Sequence, residues 1–193
     1  MGVDWTALEE AIRKSALRQA REVIDHHPDH VFYAVALDGV STEPADAIEL
    51  PVLALNSEQA LERDLSLAQH DQAPVVVDGE DDDDVEPVEE SFYSTRWNPP
   101  EWHWCSMELF DESAANLWSA ALTQVAEKHG WEPTIRRYYE MLCSVTESLG
   151  RELATGKHAE LIAYVSDEDH ADKILRRCLT PEQLQRHFPE LAA

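Results

Sequence analysis

Val31-Phe32-Tyr33-Ala34-Val35-Ala36-Leu37, followed by Asp38-Gly39, is the stretch from which the fold is read. Its β-branched and aromatic residues predict a strand, and Asp38-Gly39 is a turn signal. Upstream, Trp5, Leu8, Ile12, Ala16, Ala20 and Val23 recur at steps of three and four, which predicts one amphipathic helix from Asp4 to Asp25. Thr6 with Glu9 forms a candidate capping box at its start, and Pro28 ends it. Downstream, Ile48–Leu55 reads as a second strand, with Pro51 placing it at an edge or a bulge. Asn56 or Ser57 then caps a short helix through Leu61, Leu65 and Ala68. Pro74–Val77 could form a brief strand, and Ser91–Trp97 predicts a third full one. Asn98–Trp104 reads as an aromatic-rich approach to a helix or turn.

The second half is mostly helical. One helix spans Asp111 to His129, with Leu117, Ala121, Leu122 and Val125 inward and Gly130 as its stop. Pro133 suits a first-turn position of the next, which carries Ile135, Tyr138, Tyr139, Leu142, Val145 and Leu149 and is punctuated by Gly150. Leu161–Val165 is a fourth strand. Ser166 with Asp169 caps a helix through Ile174 and Leu175, and Thr180-Pro181-Glu182-Gln183 is a capping box opening a last short helix. The alternation is too irregular for repeated βαβ units. The expected class is α+β: a single domain over 1–193, with a small, mostly antiparallel sheet of about four strands packed against several helices.

Charge dominates the composition. Fifteen Lys and Arg stand against 39 Asp and Glu, for a net charge of −24. Asp78 to Glu90 holds nine of those acids, so −15 remains without that stretch. Such a field repels nucleic-acid phosphates and anionic membranes and speeds encounter with basic partners. Neither nucleic acid nor membrane is an expected partner. Scarce Lys among abundant acids also fits a salt-adapted scaffold protein. Met1-Gly2-Val3-Asp4-Trp5 shows no secretory signal, and Cys105, Cys143 and Cys178 lie far apart with no C-x-x-C pair. They read as free thiols behaving like small hydrophobes, and the expected location is the cytoplasm.

Catalytic and cofactor motifs are absent. Gly is too sparse and scattered for a phosphate-cradling loop, and there is no G-x-S-x-G elbow and no H-E-x-x-H. His26, His27 and His30 cluster near Asp25 and Asp29, but Pro28 interrupts any shared helical face; they read as histidines meeting a helix C-terminus. No catalytic residue, metal site or cofactor is therefore expected. What stands out is Arg96-Trp97-Asn98-Pro99-Pro100-Glu101-Trp102-His103-Trp104. Trp and Arg are the side chains most enriched at binding hot spots. Equally, Trp97 and Trp102 could plug the core, with Arg96 and Glu101 paired. A third reading makes Arg96, Glu101 and His103 an unfamiliar enzyme site.

Arg96-Trp97-Asn98-Pro99-Pro100-Glu101-Trp102 resembles the R-W-S-P-x-E-W signature of the bacterial family DUF4303. Phe32–Leu37 is similar to that family's first strand, Leu55–Gln59 to its N-T-E-E helix start, and Leu161–Val165 with Ser166–Asp169 to its late strand. The resemblance runs from about Leu8 to Phe188. Asn98 departs from the small hydroxyl residue of the pattern, and the stretch Asp78 to Glu90 is longer and more acidic. The family has no assigned activity, so the resemblance carries over no catalytic residue. It implies small acidic proteins found beside polymorphic toxins, where companions act as immunity proteins. The expected partner is then a cognate, basic protein toxin. Steering falls to an acidic, mobile loop bearing Glu80, Asp81, Asp82, Asp83, Asp84, Glu86, Glu89 and Glu90. Phe92, Tyr93 or Trp102, if exposed, is the aromatic anchor, and Arg96, Trp97 and Glu101 are the structural signature.

Overall fold

In a computed structural model, residues 2–39, 44, 47–71, 95–167 and 171–192 are described. The chain runs α1 (Trp5–His26), β1 (Phe32–Asp38), β2 (Val52–Ser57), α2 (Glu58–Asp71), β3 (Trp104–Glu108), α3 (Glu112–His129), α4 (Trp131–Leu153), β4 (Ile162–Val165), α5 (Ala171–Cys178) and α6 (Pro181–His187). Short 3-10 turns occupy Thr95–Trp97, Pro99–Glu101, Gly156–His158 and Pro189–Leu191. The four strands form one sheet in the order β3-β2-β1-β4. β1 pairs antiparallel with β2, β2 antiparallel with β3, and β1 parallel with β4. This is the α+β class that the sequence predicts.

Both faces of the sheet are covered, which is why β1 and β4 read as continuous apolar runs. On one face, Leu8, Ile12 and Ala16 of α1 and Tyr138, Leu142, Val145 and Leu149 of α4 pack on Val35, Leu37, Leu53, Leu55 and Val165. On the other, Ala34, Ala36, Ala54, Ile162 and Tyr164 meet Leu61 of α2, Trp97, Trp102, Leu175 of α5, Leu184 of α6 and Phe188. A register shift between Phe32 and Ala34 puts the adjacent residues Tyr33 and Ala34 on the same face, both in the second cluster, while Phe32 joins the first.

Local signals place most ends. Asp4 caps α1 by accepting from the Ala7 N–H at 3.1 Å, so the cap is two residues before the expected Thr6 box. Ser57 caps α2, its hydroxyl accepting from the Ala60 N–H at 3.1 Å. The Thr180 box is formed in full, with Thr180 Oγ1 accepting from Gln183 N at 3.2 Å and Gln183 Oε1 from Thr180 N at 2.9 Å. β2 starts only after Pro51, which has no N–H to give a ladder.

Three expectations change. Of the expected strand Ser91–Trp97, residues 95–97 form a 3-10 turn and 91–94 lie outside the described residues, as do Pro74–Val77. The strand is instead Trp104–Glu108, on the open edge of β2. It carries a bulge, with Leu53 opposite Met107 but Leu55 opposite Trp104, and Ser106 takes up the extra residue at φ 54°. In α3, Leu122 is buried as expected, but Leu117 is 71% exposed, and the inner stripe runs on through Ala126 with Trp118 beside it. That helix has apolar residues on two adjacent stripes, and docking on α4 chose the second. α4 passes through Gly150 to Leu153. There a Cβ would meet Ala163 at an ordinary 3.8 Å, so the glycine lies inside the helix rather than at its end. The Ser166–Asp169 cap reaches beyond the described residues.

Candidate functional site

Pro99 and Pro100 cannot give N–H groups to a ladder, so the Trp-rich segment folds as two tight turns rather than a strand. The Glu101 N–H reaches the Asn98 carbonyl at 3.0 Å, and the Trp102 N–H reaches that of Pro99 at 3.1 Å. The turns press both indoles onto the sheet. Trp97 is 7% exposed and Trp102 only 2%. Trp97 stands edge-on to Tyr33 at 5.5 Å and lies 5.1 Å from Phe188; Trp102 meets Tyr33 at 6.2 Å and Tyr164 at 6.1 Å.

Buried polar atoms then lock the segment. The Arg96 carbonyl accepts from the Tyr33 hydroxyl at 2.8 Å and from Trp102 Nε1 at 3.1 Å, and the Trp97 carbonyl accepts from the Tyr164 hydroxyl at 3.1 Å. Burial holds the Tyr33 phenol above its ordinary value, which keeps it a neutral donor. The Arg96 guanidinium lies 4.1 Å from the Tyr33 ring centroid and forks onto Glu58 at 2.9 and 2.5 Å. The hydrogen bonds that it donates to Glu58 raise Arg96 above its ordinary value. Arg96 therefore pairs with Glu58 at the start of α2, not with Glu101, whose side chain is exposed. Trp102 is core and cannot be an exposed anchor. Glu80, Asp81, Asp82, Asp83, Asp84, Glu86, Glu89, Glu90, Phe92 and Tyr93 lie outside the described residues.

His103 belongs to a different group. Its Nδ1 sits 2.6 Å from Arg63 Nη2 and 3.7 Å from Asp64, while its ring is edge-on to Trp104 at 4.6 Å. Trp104 also receives His27 at 4.8 Å, Phe32 at 5.1 Å and His30 at 5.7 Å. Desolvation comes first in lowering both His30 and His103 below the ordinary histidine value, with Arg63 next for His103 and His27 next for His30. Both rings are thus biased to the neutral form. His26 and His27 place Nδ1 at 2.6 and 2.8 Å from the carbonyls of Glu22 and Val23, the helix-end arrangement expected from sequence. Arg96 and His103 face different partners, Glu58 for the first and Arg63 with Asp64 for the second. Among the described residues, no group of three His, Cys, Asp or Glu is placed to hold a metal ion.

The cations are mostly consumed locally. Arg13 bridges Glu10 and Glu152, Arg21 also meets Glu152, and Arg63, Arg96, Arg177 and Arg186 each have an acidic partner. Sequence reading missed a groove of about 660 Å³ between α4 and α5. Trp131, Ile135 and Tyr139 line it together with Glu132, Arg136, Lys173 and Arg177. Only the docking of α5 beside α4 brings those cations together, so spacing along the chain held no signal of it.

Fold and segment together define an α+β protein whose most distinctive motif is a structural clamp, tying two tight turns to a sheet covered on both faces. Residues 8–180 match the model of the family described as Domain of unknown function (DUF4303), and the chain belongs to that family. No curated protein and no solved structure matches it. No helix among the described residues is long and apolar enough to cross a membrane.

Proposed function

We propose that the chain is a non-enzymatic binding protein of the cytoplasm, an immunity protein that blocks a cognate basic toxin. The observation that carries this reading is the charge: 39 acids against 15 cations, nine of those acids between Asp78 and Glu90. An inhibitor of a nuclease-like toxin can present carboxylates where the toxin expects phosphates, and such complementarity steers encounter and raises association rates well above the neutral range. Arg96, Trp97 and Trp102 of the family signature serve the fold, which leaves recognition to the rest of the surface.

The test begins with a pull-down of the tagged chain from lysate of its own source at low and high salt. Recovery of one stoichiometric basic partner, encoded beside this gene, is the expected result. Replacing Asp81 to Asp84 by Asn should then slow association about tenfold at low salt and flatten its salt dependence. An unchanged on-rate would remove the steering role. Failure to recover any partner at either salt would favour a salt-adapted scaffold protein instead.

A further inference from the structure

Cys143 and Cys178 are 35 residues apart and share no motif, yet their sulfurs meet at 3.2 Å. Cys143 faces inward from the middle of α4 and is buried; Cys178 is the last residue of α5 and is half-buried. Cys178 also lines an open cavity of about 420 Å³, whose other walls include Thr146, Arg151, Thr180, Arg186 and His187. One sulfur is thus reachable from solvent, and the other waits directly behind it. A disulfide needs the sulfurs at about 2.05 Å, so closing the gap takes a shift of roughly 1 Å, within reach of small side-chain rotations. Cys105, the third cysteine, is on β3, in a different part of the fold, and is free.

We infer that Cys178 and Cys143 form a peroxide-reactive dithiol, with Cys178 the attacking sulfur and Cys143 the resolving one. In the first step Cys178 sulfur attacks the near oxygen of a hydroperoxide. The O–O bond breaks, the far oxygen leaves as water or alcohol with the thiol proton, and Cys178 becomes a sulfenic acid. In the second step Cys143 sulfur attacks Cys178 sulfur, the S–OH bond breaks, and the hydroxide departs as water with the Cys143 proton. Two thiols are oxidised by two electrons, and one peroxide is reduced.

The surroundings fit that division of labour. Contact with the Cys143 sulfur holds the Cys178 thiol below its ordinary value against the opposing effect of burial, helped by the Val165 backbone, the Thr146 hydroxyl and Arg177. The same contact and burial push Cys143 up. A depressed thiol with access to solvent is the reactive kind, and the raised, buried one is inert until its neighbour is oxidised. The product ties α4 to the end of α5 and would be reversed by cellular thiols.

The experiment treats the folded full-length chain with a few equivalents of hydrogen peroxide and reads intact mass, remaining thiols and peptide links. The expected wild-type product has lost two hydrogens, keeps one alkylatable thiol at Cys105, contains a Cys143–Cys178 link and reverts with dithiothreitol. Cys105→Ser should behave the same way. Cys143→Ser should stop at a sulfenic acid that a cyclic 1,3-dione traps on Cys178, and Cys178→Ser should form no disulfide. Wild type retaining three thiols under conditions that oxidise the urea-unfolded chain would overturn the proposal, as would a link through Cys105. The wild-type result stands alone if either Ser variant fails to fold.

Discussion

Trp102 sends its indole N–H to the Arg96 carbonyl, which also accepts from Tyr33, so one oxygen ties the two turns to each other and to β1 of the sheet. Trp102→Phe keeps an aromatic ring in the core but removes that donor and some volume. The expected cost is about 1–2 kcal/mol, from a hydrogen bond worth about 1 kcal/mol plus a small packing loss. Urea unfolding at constant m-value measures it, and an unchanged midpoint would show that the indole bond contributes nothing. Half of this arrangement was legible in the chain. The density of Trp and Arg marks the segment, but the partner of Arg96 is Glu58, 38 residues away, and no spacing rule links them. Glu101, three residues past a turn start, looked like the nearer partner, yet the two prolines aim it outward. The two cysteines make the same point, because a 35-residue gap carries no periodicity that could announce a contact.

At the scale of elements, α4 shows how a residue's usual meaning depends on what lies beside it. Gly150 reads as a helix stop, and the helix continues three residues beyond it. A methyl added at Gly150 would have Ala163 Cβ as its nearest neighbour at 3.8 Å, so there is room for a side chain. Gly150→Ala should therefore raise stability by about 0.5–1 kcal/mol, the usual gain of Ala over Gly inside a helix. A thermal or urea midpoint that falls instead would mean that α4 needs closer contact with β4 than the present spacing shows. α3 shows the complementary limit. Its two apolar stripes, Leu117-Ala121-Val125 and Trp118-Leu122-Ala126, are one residue apart in phase, and composition alone does not choose between them. The choice belongs to α4, whose single well-defined face accepts one stripe and leaves Leu117 in solvent.

For the whole molecule, a net charge of −24 is a repulsion that the fold carries at neutral pH. Local ion pairs absorb many of the cations, and the remaining acids repel one another across the surface. Raising sodium chloride from about 0.05 to 0.5 M shortens the Debye length from well over 10 Å to about 4 Å and screens that repulsion. Stability should rise accordingly, read as a higher urea midpoint with an unchanged m-value. A midpoint that falls with salt would mean that the ion pairs contribute more than the excess acids cost.

By itself the sequence determined what acts over a few residues: the α1 stripe, the Ser57 cap, the Thr180 capping box, the apolar runs of β1 and β4, the stop at Gly130 and the acidic field. Periodicity, capping and composition are properties of neighbouring residues, so they survive without knowledge of the fold. Only the tertiary structure decided that the third strand is Trp104–Glu108, that α3 turns its second stripe inward, that Arg96 answers Glu58, and that two distant thiols touch. Each of those rests on contact between segments far apart in the chain, and their energy appears only once the sheet has brought the segments together.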